Sequence, residues 1–272
     1  MASAKAKALV SAALAARPTS TSGKTPAKTT ASEKTSGNKI NKKRSFWQKL
    51  RKFLFWSTLS FLLASISLVL VLRWVNPPTS AIRIARSMEA TRAGKPFSAQ
   101  SCWLSLANFG PNLPMAVIAS EDQRFNTHHG FDFTELAKAV KQKGRKRGAS
   151  TLTQQVAKNL FLWQGRSYLR KGLEAYFTGL IELLWPKRRT LEMYLNVVEF
   201  GDATFGACAG AKRTFGTAPA RLSPYQAALL AASLPNPHVY NAAKPSRTMH
   251  QRASWAVKQM RSLGGAQYLA TF

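Results

Sequence analysis

FLFWSTLSFLLASISLVLVL, Phe53 to Leu72, runs twenty residues without a charge, and nothing else in the chain restricts its fold so strongly. A helix of that length crosses the roughly 30 Å hydrocarbon core of a bilayer. As a cleaved leader it starts too far into the chain, and no small-residue cleavage pattern follows it directly. We read it as one transmembrane helix. Its flanks set its direction: Lys42, Lys43, Arg44, Lys49, Arg51 and Lys52 precede it, and Arg73 alone follows closely. Bases beside a span stay on the cytoplasmic side. The N-terminus is therefore expected in the cytoplasm and the rest of the chain outside it, which in a bacterium means the periplasmic face of the inner membrane. Trp56 and Trp74 fall near the two ends of the span, where amphipathic rings favour the interface.

The span divides the chain. Residues 1–52 are rich in Ala, Ser, Thr and Lys, without apolar periodicity at first, and read as a disordered basic cytoplasmic tail. Residues 73–110, with Pro77, Pro78, Gly94 and Pro96, read as a stem. From residue 111 to 272 the pattern is helical almost throughout, with no long alternating strand and no internal repeat, so the fold class is mainly α. With 40 Lys and Arg against 11 Asp and Glu, the chain calls for an anionic partner: nucleic acid, an acidic membrane surface or a phosphorylated substrate. Cys102 and Cys208 have no metal-ligand spacing; they pair only if they meet in space, and free or buried thiols are the expectation.

Nine of the eleven acids lie between Glu121 and Asp202, so the carboxylates there invite inspection. In AVIASEDQRFNTHHGFDF, Pro114 sits in the first turn of a helix and Glu121 follows Val117 by four positions, near the helix C-terminus. A carboxylate on an apolar stripe is partly desolvated, and the negative end of the helix dipole adds to the effect; its pKa rises and it becomes a proton acceptor. Asp122 is expected to orient the loop by accepting hydrogen bonds. His128 and His129 lack the partners of a metal motif and read as structural.

In RGASTLTQQVAKNLFLW, Gly148 breaks a basic run, and Thr151 with Gln154 fits a capping box. Leu152, Val156, Leu160 and Trp163 line one face of the helix that follows. Thr151, Gln155 and Lys158 form a neighbouring polar stripe, with Asn159 one turn above Gln155. Such a stripe suits a sugar or a phosphate. In RSYLRKGLEAYFTGLIELLWPK, Leu173, Phe177, Leu180 and Leu184 mark the buried face, and Pro186 ends the helix. Arg170, Lys171 and Glu174 fall on the opposite side, as a surface ion pair or as a grip for a pyrophosphate and a metal ion. RRTLEMYLNVVEFG reads as a helix capped by Thr190, with Leu191, Leu195 and Val198 buried, Glu192, Asn196 and Glu199 on its polar side, and Gly201 as its stop. Ser223, Pro224 and Gln226 open a further core helix.

Taken together and in order, EDQRFNTHHGFD, GASTLTQQVAKNLF, RKGLEAYFTGLIE and RRTLEMYLNVVEFG resemble the peptidoglycan glycosyltransferase family, most closely its monofunctional membrane-anchored members. The resemblance covers about residues 100–240 together with the anchor. It implies a lysozyme-like helical domain that polymerises lipid II with inversion, taking the growing glycan on undecaprenyl pyrophosphate as donor. It implies Glu121 as the general base and Glu174 beside the leaving pyrophosphate. Thr151, Gln155, Lys158, Asn159, Arg170 and Lys171 match donor-binding and phosphate-neutralising positions. A divalent cation, Mg2+ or Mn2+, is implied without a known site, and other cell-wall synthesis proteins are implied partners; cross-linking would fall to them, since little chain follows the domain. The sequence departs from the family's usual pattern at Cys208, Thr214, Thr217 and Gln226. Two other readings compete: a lysozyme-like hydrolase or lytic transglycosylase with Glu121 as acid, and a membrane-tethered DNA-binding regulator built on TLTQQVAKNL.

Overall fold

The structure, a computed structural model, describes residues 33–141 and 150–272. The expected tail up to residue 32 and the break at Gly148 lie outside the described residues. Contacts divide the chain into Met1–Leu59 and Ser60–Phe272. Helix α1, Glu33–Val71, contributes to both. Residues 33–52 are therefore helical rather than disordered, because the nucleated span extends at little cost through Lys, Arg, Gln and Leu. In the first unit Phe46, Trp47, Phe53, Leu54, Phe55 and Trp56 are all more than half exposed. Apolar side chains open on every side of a helix need a lipid solvent. Ser45–Val71 is long and apolar enough to cross a membrane at 27 residues, or about 40 Å of helix. By length and composition, α1 is a membrane anchor.

The second unit is helical, with α2 (Ala81–Arg92), α3 (Asn112–Glu121), α4 (Phe133–Lys141), α5 (Leu152–Phe161), α6 (Tyr168–Leu184), α7 (Lys187–Val197), α8 (Ala207–Phe215), α9 (Pro224–Ala231) and α10 (Arg247–Ser262). A three-stranded sheet of short strands joins β1 (Gln100–Ser101), β2 (Glu199–Gly201) and β3 (Thr204–Phe205) in the order β1-β3-β2, with β1 parallel and β2 antiparallel to β3. The core gathers α3, whose residues Leu113 to Ala119 are all buried, with α5, α7, α9 and α10.

Residues 73–110 are held by the domain along much of their length. Arg86 on α2 donates to Glu199 at 3.1 Å. Asn196 clasps the Leu104 backbone, accepting from its N–H and donating to its carbonyl, both at 2.9 Å. Cys102 and Cys208 form a disulfide with Cα atoms 5.6 Å apart, which replaces the free thiols expected from the sequence. Pairing of β1 with β3 carries Cys102 to the start of α8, a juxtaposition that chain spacing does not encode.

The end of α1 also belongs to this core. Val69 and Leu72 are buried, and the Trp185 indole N–H donates to the Val69 carbonyl at 2.7 Å. Arg189 donates to the carbonyls of Leu72 and Val75, each at 2.9 Å.

Candidate active site

Two capping boxes form as the sequence predicts, Thr151 with Gln154 on α5 and Ser223 with Gln226 on α9. The first fixes where α5 begins. Thr151 is buried, and its hydroxyl also donates to the Gly130 carbonyl at 2.6 Å. Gly130 adopts φ +79°, and a Cβ there would come within 2.7 Å of Glu182, so this close approach requires glycine. Asp122 accepts from the Leu152 N–H at 2.9 Å and from His128 Nε2 at 2.8 and 3.0 Å. One buried carboxylate thus ties the end of α3 to the start of α5, the orienting role expected of it.

These ties place Glu121, the last residue of α3, beside α5. Gln155 Nε2 donates to Glu121 Oε2 at 2.9 Å, and the Tyr194 hydroxyl donates to Gln155 Oε1 at 3.1 Å. Gln155, expected at the substrate, holds the Glu121 carboxylate. Burial pushes the Glu121 pKa above the usual carboxylate range and Asp122 adds to the rise, while Gln155, Lys158 and Arg252 favour the charged form. Burial and the nearby acids hold the Tyr194 pKa well above that of a free tyrosine. Tyr194 therefore stays protonated and serves as a permanent donor.

Lys158 lies one turn beyond Gln155 on the same face. Burial lowers its pKa, Glu174 and Glu121 oppose that, and Arg170 and Lys171 add to the fall. Lys158 therefore feels both carboxylates. Glu174 is buried, with Lys171 Nζ at 2.5 Å and Arg170 Nη1 at 3.3 Å. The sequence reading placed Glu174 opposite the buried face of α6. Instead that face is Glu174, Phe177, Thr178 and Ile181, and Leu173, Leu180 and Leu184 are half-buried. Two cations on the preceding turn offset much of the desolvation of the carboxylate and let it turn inward. Asn159 is buried as well.

Two further corrections concern helix ends. Trp163 lies past the end of α5 and is half-exposed, because Leu162 is already extended. Thr190 is not a cap; α7 begins at Lys187 behind Pro186, and Thr190 is buried inside it. The helix that a DNA-binding reading would offer to a groove, α5, packs against α2, α6 and α7.

The sequence reading missed Tyr194 and Arg252. Tyr194 is fully buried and stands among core residues of α7, with nothing in its spacing to separate it from them. Arg252 on α10 stacks over Tyr240 at 4.6 Å, and its Nη1 is buried without a partner among the described residues. In a chain with 40 basic residues no count singles it out.

A divalent cation needs carboxylate or imidazole donors that no cation already occupies. Both oxygens of Glu174 are engaged by cations. Glu199, Asp202 and His238 bring ligand atoms within 4.8 Å of one another, yet the Arg86 guanidinium contacts Glu199 and His238 in the midst of them. Neither set, as it stands, fits a resident metal ion.

A recessed carboxylate held by an amide, next to a basic cluster on two neighbouring helices, has counterparts among known proteins. The transglycosylase family model matches residues 88–261. A biosynthetic peptidoglycan transglycosylase of Stutzerimonas stutzeri is 52% identical over 229 residues, covering 83% of this chain and 93% of that protein. Proteins of the same description from Pseudomonas fluorescens and Xanthomonas campestris pv. campestris are 51% and 48% identical, over 83% and 82% of this chain and 94% and 93% of their own lengths. Matching along more than half its length, and identical to each of these relatives at about half of the aligned residues, the chain belongs to the transglycosylase family.

Proposed function

We propose that this protein polymerises lipid II into linear β-1,4 glycan strands of peptidoglycan, with release of undecaprenyl pyrophosphate. The observation that carries this reading is the single turn of α5 bearing Gln155 and Lys158. Gln155 holds the Glu121 carboxylate at 2.9 Å, while Lys158 lies in the fields of both Glu121 and Glu174. A base and a cationic cradle are thereby set side by side, as an acceptor hydroxyl and a pyrophosphate leaving group require.

Glu121 takes the proton of the 4-hydroxyl of the acceptor's GlcNAc. That oxygen bonds to the anomeric carbon of the donor from the face opposite the pyrophosphate, the carbon–oxygen bond to pyrophosphate breaks, and its electron pair leaves on the pyrophosphate. Configuration inverts. Lys158, Arg170 and Lys171 neutralise the departing charge, and Glu174 keeps Arg170 and Lys171 in place. Thr151 and Asn159 support the same face from within. Hydrolysis of a neutral glycosidic bond has no use for this cradle.

The basic flank before the anchor supports a cytoplasmic N-terminus and a catalytic domain on the outer face. The disulfide supports the same topology, since such bonds persist in oxidising compartments. A reporter fused after Phe272 is expected to be active only outside the cytoplasm. Lipid II, the growing strand and the membrane are its partners on this reading, together with other cell-wall synthesis proteins.

The test is incubation of the detergent-solubilised protein with labelled lipid II. A muramidase-sensitive ladder is expected; no ladder together with shortening of isolated sacculi would replace this reading with the hydrolase. Within it, Lys158→Ala is expected to lower kcat/KM for lipid II by about 10- to 100-fold, since a hydrogen bond to a charged group contributes about 1.5–3 kcal/mol. An unchanged kcat/KM removes Lys158 from the cradle.

A further inference from the structure

The turn Asp122–Asn126, which directly follows Glu121, is held from two sides. On the inner side are the bonds of Asp122 to His128 and to the start of α5. On the outer side lies the 3-10 segment Gly265–Thr271, beyond residue 261, where the family match ends. The Tyr268 hydroxyl accepts from the Asn126 N–H at 3.2 Å and lies 2.8 Å from Asn126 Oδ1 and 3.2 Å from the Gln123 carbonyl, which share its proton. Asn126 Nδ2 donates to Thr271 Oγ1 at 3.0 Å, and Thr271 donates back to the Tyr268 carbonyl at 2.7 Å. The Phe272 ring meets Phe125 edge-on at 5.5 Å and Tyr268 at 5.9 Å. Gln123, gripped through its carbonyl, sends its own side chain back to Ala119 in the last turn of α3 at 3.0 Å.

We infer that Tyr268 is a positioning residue for the Glu121 base: its one hydroxyl closes the turn Asp122–Asn126 and so fixes where the carboxylate points and how dry it is. The inference rests on the reading of Glu121 as the base. Tyr268 touches no reacting atom. It acts through three contacts within five residues of Glu121, on the outer side of a turn whose inner side is held by Asp122. A hydroxyl that accepts one bond and shares its proton between two oxygens resists displacement of the turn in more than one direction. Orientation matters because misplacement of a catalytic group by about 1 Å lowers the rate by up to about 10²-fold. Dryness matters because burial is the main cause of the raised Glu121 pKa. The charged and titratable groups facing Glu121 are Asp122 on its own turn, Lys158 on α5, Tyr194 on α7 and Arg252 on α10. Loosening the turn changes none of these charges; it admits water.

The test is Tyr268→Phe in the full chain, which keeps the ring against Phe272 and removes only the hydroxyl. The expected result is a kcat for lipid II lowered about tenfold, a KM within about twofold of wild type, and an acidic limb of the kcat profile moved to lower pH as Glu121 becomes wetter. Asn126→Ala, which removes the shortest of the three bonds to this hydroxyl and the bond to Thr271, is expected to move the limb likewise, and the double variant to lose less than the sum of the two single ones. Wild-type kcat and limb in Tyr268→Phe overturn the inference. So does a lowered kcat with an unmoved limb and losses that add with Asn126→Ala, the pattern of a merely structural contact. Glu121→Gln, assayed alongside, separates the two ideas: if it is active the base reading fails, and if it is inactive while Tyr268→Phe behaves as wild type, only this inference fails.

Discussion

Glu121→Gln is expected to give a folded protein whose lipid II consumption is about 10²- to 10⁴-fold below wild type, the range that a positioned general base contributes. The substitution keeps the shape of the side chain and replaces only its proton-accepting oxygen. Measured at one lipid II concentration above saturation, the loss should lie in kcat. The wild-type rate should also report the raised pKa of this carboxylate. A base works when ionised, so the rate falls as pH drops through that value, and the acidic limb lies above the ordinary carboxylate range. Stability moves the other way. The folded pKa exceeds the unfolded one, so the folded chain holds this proton more tightly, and the ionised group destabilises the fold at neutral pH. That penalty fades as pH falls through the folded value. Glu121→Gln carries no such charge and is expected to melt at or slightly above wild type at neutral pH. A folded variant that polymerises lipid II at the wild-type rate removes Glu121 from the chemistry.

The second large effect is on stability. Cys102 and Cys208 are 106 residues apart, and closing a loop of about 100 residues restricts the unfolded chain by about 4.7 kcal/mol on the chain-entropy account, with 2–4 kcal/mol typical of measured bridges. Cys102→Ser with Cys208→Ser is therefore expected to lower the thermal midpoint by roughly 10 °C for a domain of this size. Wild type in excess reductant should fall to the same midpoint, and the variant should ignore reductant. The bridge binds the end of β1 to the start of α8, so reduction should also loosen residues 73–110 and raise their amide exchange before the helices of the core respond. Equal midpoints for oxidised wild type and the double variant would show that the bridge does not restrain the unfolded chain as argued.

Helix starts with a chemical signature were legible from residues alone, as the boxes at Thr151 and Ser223 illustrate. The recessed position of Glu121 was legible too, since it needs only an apolar stripe and a helix end. Glu174 was misplaced because hydropathy counts charges one at a time; Arg170 and Lys171 make the trio far less costly to bury than its members. Thr190 resembles a cap in sequence, but Pro186, which ends α6, also opens α7 and leaves Thr190 inside it. The disulfide and the bond from Tyr194 to Gln155 arise from tertiary proximity across 106 and 39 residues, for which sequence periodicity carries no signal. Gln155 lay on the expected face, but its partner could not be seen until α3 and α5 were placed together.

The burial of Val69 and Leu72 bears on how such an enzyme is prepared. Soluble versions of anchored proteins are commonly made by starting the chain just after the span. Here a start at residue 73 would strip two apolar side chains from the core, each contributing about 1.5–3 kcal/mol when fully buried. It would also deprive the Trp185 indole and the Arg189 guanidinium of carbonyls that they now hold. Such a fragment is expected to melt lower and to stick to detergent or to itself along α6 and α7. An inhibitor screen run on it would sample an artificial greasy face, whereas a fragment that keeps the last two turns of α1 would present the native one.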